Sequence, residues 1–157
     1  MKLRPYEDPD RTLCETWFED PGPFMDPRWL QSASRDAKHG AHHSLLIGCE
    51  DGVPVSVVSV GHTADGTRAA CSMLVAPERR RQGAGRATVQ ALRAEFPNVE
   101  EFVAYVDPDN QDSIKLLRAL GFTRTEYAYP DRDLYAWRRD GVLPAADWKP
   151  PAIPRSY

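Results

Sequence analysis

Arg79-Arg80-Arg81-Gln82-Gly83-Ala84-Gly85-Arg86 places four arginines and two glycines in eight consecutive positions of a chain whose net charge is −3. Arginine supplies positive charge and a forked set of donors that suits a phosphate. Glycines let an anion come close to the backbone, and the first turn of a helix offers N–H groups that have no partner within the helix. Followed by a helix, this stretch suits a pyrophosphate. A nucleic-acid patch and a solvated, charged helix start are the competing readings. A P-loop does not fit, because Gly85 is followed by Arg86-Ala87 where Lys and Ser/Thr are needed; a dinucleotide fingerprint does not fit, because Thr88 holds the third glycine position.

Other residues able to move protons or hold a metal are scattered. His62 titrates in the useful range and ends a run of β-forming residues; it is a candidate base, with an exposed turn histidine as the alternative. Tyr105 is a candidate acid or a tyrosine that simply packs. Glu50 and Asp107 fall near strand ends and read as solvated. Cys14, Cys49 and Cys71 are widely spaced with no CxxC, so they read as buried thiols in a reducing compartment. His42 and His43 would face opposite sides of a strand with no third histidine or carboxylate nearby, and no metal is expected.

The elements that must position these residues follow from periodicity. "KLRPYED" reads as a first strand, and Asp8 or Asp10 can cap a helix carrying Leu13, Trp17 and Phe18. Pro21 and Pro23 break it, and Asp26-Pro27 opens a second helix through about Lys38. From Ser44 the period becomes two: Ser44–Glu50 and Val53–His62 flank Asp51-Gly52, a strong hairpin signal, and Thr67–Val75 is a third strand after Asp65-Gly66. Gly83 to Phe96 is helical, Glu100–Asp107 is a strand, and a helix runs from Asp109-Asn110 to Gly121. Phe122–Tyr129 and Asp133–Arg139 make a final hairpin. The order is β-α-α-β-β-β-α-β-α-β-β, an α/β domain over residues 1–140 with a mixed, mostly antiparallel sheet flanked by helices. Residues 141–157 read as a proline-rich tail docked by Trp148.

At 157 residues, 41% hydrophobic and 27% charged, the composition is that of one soluble domain. No run approaches the roughly 18 apolar residues of a membrane helix, and "MKLRPYEDPD" lacks a signal-peptide core; the expected location is the cytoplasm, away from membranes. The acidic balance argues against general nucleic-acid binding.

Val75-x-Pro77-x-x-Arg80-x-x-Gly83-x-Gly85-x-Ala87, lying after a third meander strand and before a helix, resembles the coenzyme A loop of the GNAT superfamily of acyl-CoA-dependent N-acyltransferases. Asn110-x-x-Ser113 followed by Gly121-Phe122 is similar to that family's later helix, and the element order agrees from about Lys2 to Arg139. The resemblance implies that Arg80, Arg81, Gln82, Gly83, Ala84, Gly85, Arg86 and Ala87 hold the pyrophosphate of an acyl-CoA, acetyl-CoA above all. Main-chain N–H groups would do most of that work. It further implies that Met73, Leu74 and Val75 align the pantetheine arm as an extra strand, with Asn110 and Ser113 on its other side, and that a backbone N–H near Leu74 or Val75 meets the oxyanion. The expected reaction is transfer of an acetyl group to a primary amine. Dimerisation is common in the family, and an apolar C-terminal hairpin would support it.

Two features depart from the family's pattern. Leu117 stands seven positions after Asn110, where many members carry a tyrosine aimed at the sulfur, and Thr67–Val75 holds no carboxylate. A catalytically silent acyl-CoA binder, acting as a sensor or partner subunit, is therefore the alternative reading. On the acceptor side, "WFEDPGPFMD" (Trp17 to Asp26), Trp29, Glu126, Tyr127 and Tyr129 combine aromatic and acidic residues that would suit a cationic small molecule or peptide with an apolar body.

Overall fold

The computed structural model describes residues 1–19 and 25–155. Seven strands form one sheet: β1 (Lys2–Pro5), β2 (His43–Glu50), β3 (Val53–His62), β4 (Arg68–Val75), β5 (Glu101–Val106), β6 (Thr123–Arg124) and β7 (Asp133–Arg138). Four helices connect them: α1 (Arg11–Thr16), α2 (Arg28–His39), α3 (Ala84–Glu95) and α4 (Gln111–Ala119). The element order is the one read from periodicity. Across the sheet the strands lie β1-β2-β3-β4-β5-β7-β6, and only β4 and β5 run parallel.

Local chemistry explains most of this. Asp51 and Gly52 both take positive φ, 50° and 77°, the backbone of a tight hairpin turn that sets the β2–β3 register. Asp26 Oδ1 accepts the Arg28 N–H at 2.8 Å and so satisfies a free donor at the start of α2. The central strands carry apolar residues on both faces because helices cover part of each. One core packs Val58, Val60, Phe102 and Ala104 against Leu92 of α3 and Leu117 of α4. A second packs Leu45, Ile47, Val57 and Leu74 against Cys14 of α1 and Leu30 of α2.

Two elements are shorter than their patterns predict. Asp10 is drawn into a clamp with Arg4, two hydrogen bonds of 2.8 Å, and also accepts the Glu7 N–H. A 3-10 turn over Asp8–Asp10 therefore precedes α1, which ends at Thr16, before Phe18. At the other end, β6 is two residues long where the alternation predicts a strand to Tyr129. Thr125 still donates to the Leu134 carbonyl at 2.8 Å. Beyond it the chain leaves the ladder, and Tyr127 and Tyr129 pack on Trp148 and Tyr105. Residues 139–155 form no helix or strand, and the segment with Lys149 and Pro154 folds back over the face that carries α1 and α2.

The feature that matters for function is a break in register. β4 and β5 pair only from Arg68 opposite Glu101 to Cys71 opposite Ala104. Past that point β4 stays bonded to β3 as far as Val75, and β5 stays bonded to β7 as far as Val106. The two strands part, and a gap opens in the middle of the sheet.

Candidate functional site

The backbone of β4 lines one side of this gap, and its alternation decides which groups face it. Ala76 N–H donates to the Val55 carbonyl at 2.8 Å, and Thr63 N–H to the Arg68 carbonyl at 2.9 Å. These bonds fix the antiparallel phase, so Ser72 and Leu74 turn their N–H and C=O toward β3. Met73 and Val75 turn theirs toward the gap. The expectation that Leu74 or Val75 could offer an N–H there narrows to Val75, with Met73 beside it. The Val75 carbonyl is already taken, accepting from Arg80 Nε at 3.3 Å.

Beyond β4 a short 3-10 turn over Pro77–Arg79 leads into α3. Gly83 is the N-cap of α3 at φ 83°, a left-handed conformation that glycine takes without strain, and no side chain caps the helix. The first helical bond is Ala87 N–H to the Gly83 carbonyl at 3.0 Å. The N–H groups of Ala84, Gly85 and Arg86 therefore point out of the helix end, where the macrodipole adds partial positive charge. A Cβ on Gly83 would meet nothing within 4 Å, whereas one on Gly85 would stand 3.0 Å from Leu116 Cδ2 and 3.5 Å from Met73 Cε. Gly85 is thus bare because α4 and β4 approach it from both sides of the gap. Thr88 holds this helix start in place: its buried hydroxyl donates to the Ala84 carbonyl at 2.8 Å and meets Ser56 Oγ of β3 at 2.7 Å.

The arginines have separate tasks. Arg79 pairs with Glu50 at 3.6 Å, and Arg81 with Asp112 of α4 at 3.1 Å. Arg80, which opens the motif, reaches the Trp17 carbonyl at 3.3 Å as well as that of Val75, so it ties α1 to the end of β4. Arg86 is exposed, as are Arg81 and Gln82. Charge at the rim and backbone donors at the centre form a cradle of the chemistry an anion such as a diphosphate requires. Across the gap, Asn110 caps α4, its Oδ1 accepting the Ser113 N–H at 3.3 Å. Its amide NH2 and the Ser113 hydroxyl have no partner among the described residues.

Tyr105 is brought to the gap. It is the first residue of β5 past the last β4–β5 pair, half-buried, and its ring centre lies 6.1 Å from that of Tyr129. Burial pushes its hydroxyl pKa up, with Tyr129 adding to the effect. Its counterpart on β4 is Ser72, also past the last pair and on the same face. Sequence reasoning passed over Ser72; its single-residue offset from Met73 on an alternating strand was the available signal. Leu117 is 8% exposed, packs in the core that also holds Ala104 and Val106 of β5, and has no proton to give.

His62 is not brought there. It lies at the far end of β3, opposite Ala69, and packs on Phe96 just past the C-terminal end of α3 at 4.8 Å. A candidate base is thereby corrected to a packing residue, because the antiparallel run of β3 carries its end away from the gap. Burial holds the His62 pKa below its ordinary 6.5. The unfolded chain therefore takes up the proton at higher pH than the folded one. Stability is expected to be full above about pH 6.5 and to fall as pH drops toward the depressed value; His62→Phe should flatten that slope in urea titrations between about pH 5 and pH 8.

On the acceptor side, Trp17 is core at 2% exposure, Phe18 and Trp29 lie 6.5 Å apart, and Asp26 is bound by Arg28. Asp20 and Phe24 lie outside the described residues. Tyr127 and Tyr129 are exposed and 5.4 Å apart. Two cavities of about 290 and 130 Å³ lie between α1 and α2 and between α2 and the β2–β3 ladder, both away from the cradle. Among the described residues no cluster of three or more His, Cys, Asp or Glu could hold a metal, and no helix is long and apolar enough to cross a membrane.

The sheet is parted between its parallel strands, with the uncapped start of α3 on the rim. Residues 10–122 match the Acetyltransferase (GNAT) family, and the chain belongs to it. A Bacillus subtilis relative, "Uncharacterized N-acetyltransferase YfmK", is 26% identical over 136 residues, 81% of this chain and 87% of that one. Among solved structures, a spermidine N-acetyltransferase SpeG chimera from Vibrio cholerae and hSSAT superposes with a TM-score of 0.69 at 16% identity, over 88% of this chain and 95% of the other. The aminoglycoside acetyltransferase AAC(6')-Ib, solved with paromomycin and acetyl-CoA, gives 0.72 at 18%, over 89% and 94%.

Proposed function

We propose that this protein is an N-acetyltransferase that moves an acetyl group from acetyl-CoA to a primary amine. The observation that carries the reading is the pair of gap-facing backbone groups, Met73 and Val75, leading straight into the uncapped start of α3. Extended backbone that turns the Met73 N–H and C=O and the Val75 N–H toward the gap suits an amide-containing arm laid along it as a further strand. The helix start suits the diphosphate beyond it. Neighbours in fold that are named for spermidine and aminoglycosides support an amine acceptor. The three free cysteines suit a reducing cytoplasm.

In the reaction the neutral amine attacks the thioester carbonyl, a C–N bond forms and the C–S bond breaks. Val75 N–H donates to the oxyanion as charge develops on it, a donor that needs no reorganisation at that moment. Tyr105 Oη donates a proton to the departing sulfur. The acceptor's own proton leaves toward solvent on the Ser72 side. A second reading, an acyl-CoA binder without turnover, is favoured by the burial of Leu117 and by the lack of a carboxylate on β4.

A thermal-shift titration, followed by thiol release with an amine panel, separates these. Acetyl-CoA and coenzyme A are expected to raise Tm by several degrees at ~100 times Kd, and amines to release thiol. Stabilisation without thiol release would establish the silent binder, and no shift at millimolar ligand would remove both readings.

A further inference from the structure

We propose, on the strength of the acetyltransferase reading, that residues 144–154 are the end wall of the acceptor trough and set the longest amine the enzyme accepts. These residues lie beyond the stretch that matches the family, and three hydrogen bonds and close packing hold them against the face that carries Ser72 and Tyr105. Trp148 Nε1 donates to Glu101 Oε2 at 3.0 Å, and Arg68 donates to the Lys149 carbonyl at 2.6 Å. His43 Nε2 meets the Pro154 carbonyl at 2.9 Å. Pro151 is buried, and a Cβ on Gly61 would stand 2.9 Å from Ile153 Cγ2. The anchor beneath is rigid: Glu101 is 1% exposed and is held by Arg68, Arg138 and Trp148 together. A buried carboxylate satisfied by several donors resists displacement.

The alternation of the strands puts all of these contacts on one face. Gly61, Arg68 and Glu101 share the side of the sheet that carries Val57, Leu74 and Tyr105, and they lie at the end away from the gap. Between the two ends, the floor is made of small residues, Ser59, Ala70 and Ser72, all half-exposed. One wall is α2, through Trp29 and Asp36. The other is a run of rings: Tyr105 to Tyr129 at 6.1 Å, Tyr129 to Tyr127 at 5.4 Å, Tyr127 to Trp148 at 6.4 Å, ending where Arg68 lies 5.6 Å over Trp148. From Tyr105 to Glu101 is four strand steps, about 13 Å. An amine at the gap with an apolar or aromatic body would lie along the rings and stop at the Trp148–Ile153 segment.

The test compares benzylamine, phenylbutylamine and phenyloctylamine as acceptors for the wild type, Trp148→Ala/Ile153→Gly and Trp148→Phe. In the double variant the kcat/KM ratio of phenyloctylamine to benzylamine is expected to rise at least about tenfold, a size typical of relieving a few methylenes of steric exclusion. KM for acetyl-CoA should stay within about twofold, and Trp148→Phe should keep the wild-type ratio. Stabilisation by coenzyme A shows that each variant is folded; where the double variant is not stabilised, Trp148→Ala alone is read, with a rise of about threefold expected. An unchanged ratio in a folded variant overturns the end-wall assignment and leaves the enzyme reading standing. No thiol release with any amine overturns both.

Discussion

Gly83→Glu is expected to weaken coenzyme A binding at least about 100-fold, equivalent to ~2.7 kcal/mol. Two costs add at this position. Gly83 sits at φ 83°, where an L side chain costs about 1–2 kcal/mol. The Cβ direction is open, with nothing within 4 Å, so a glutamate side chain is free to lie over the helix start. There its carboxylate competes for the N–H groups of Ala84 and Gly85 and repels a diphosphate; like charges ~4 Å apart at an effective dielectric of about 20 repel by roughly 4 kcal/mol. Gly83→Ala separates the terms. It carries the backbone strain without the charge, so it should lower Tm while costing less than about tenfold in coenzyme A affinity. Isothermal titration of the two variants checks this, and equal losses in both would mean that strain in the loop, and not an anion cradle, is what the position contributes.

The loop was legible in the sequence because its signals are local. A strand that ends at Pro77, glycines at Gly83 and Gly85 and an apolar period that starts at Ala84 are all read within a dozen residues. So was the Asp51-Gly52 turn. A gap between these strands followed from the family resemblance alone; the point where β4 and β5 part was not legible, because it is set by pairing between Cys71 and Ala104, with a whole helix between them. Which of Leu74 and Val75 faces the gap follows from the Ala76–Val55 bond, which no pattern within β4 reveals. His62 was placed on the correct strand, yet only the antiparallel pairing with β4 shows that its end is the wrong one for chemistry. Leu117 reads as an apolar helix position in the sequence and is one. Counting from Asn110 located it, and it packs in the core as that pattern implies.

Tyr105→Phe is expected to lower kcat about 30-fold at neutral pH and to leave KM for acetyl-CoA within about twofold. The size follows from the leaving group. A free thiol has a pKa near 8.5, so expelling it as thiolate at pH 7 in place of a protonated product costs ~2 kcal/mol, and that is the most an acid at this site can recover. Because burial raises the Tyr105 pKa above its ordinary value, the hydroxyl stays protonated across about pH 6–9. The wild-type rate should therefore show no alkaline fall from loss of this acid in that window. Removing the hydroxyl and keeping the ring preserves the contact with Tyr129, so the variant should melt within a degree or two of the wild type. Leu117→Tyr offers the complementary case. Position 117 is packed among Ile114, Leu120 and Phe122, so a phenol there overfills the core at a cost of about 1–3 kcal/mol. It should not restore kcat when combined with Tyr105→Phe. Restored turnover in the double variant would show that the side chain at 117 reaches the sulfur after all. An unchanged kcat in Tyr105→Phe would show that the thiolate leaves without help, and that the gap needs only the Val75 amide and the alignment of its two reactants.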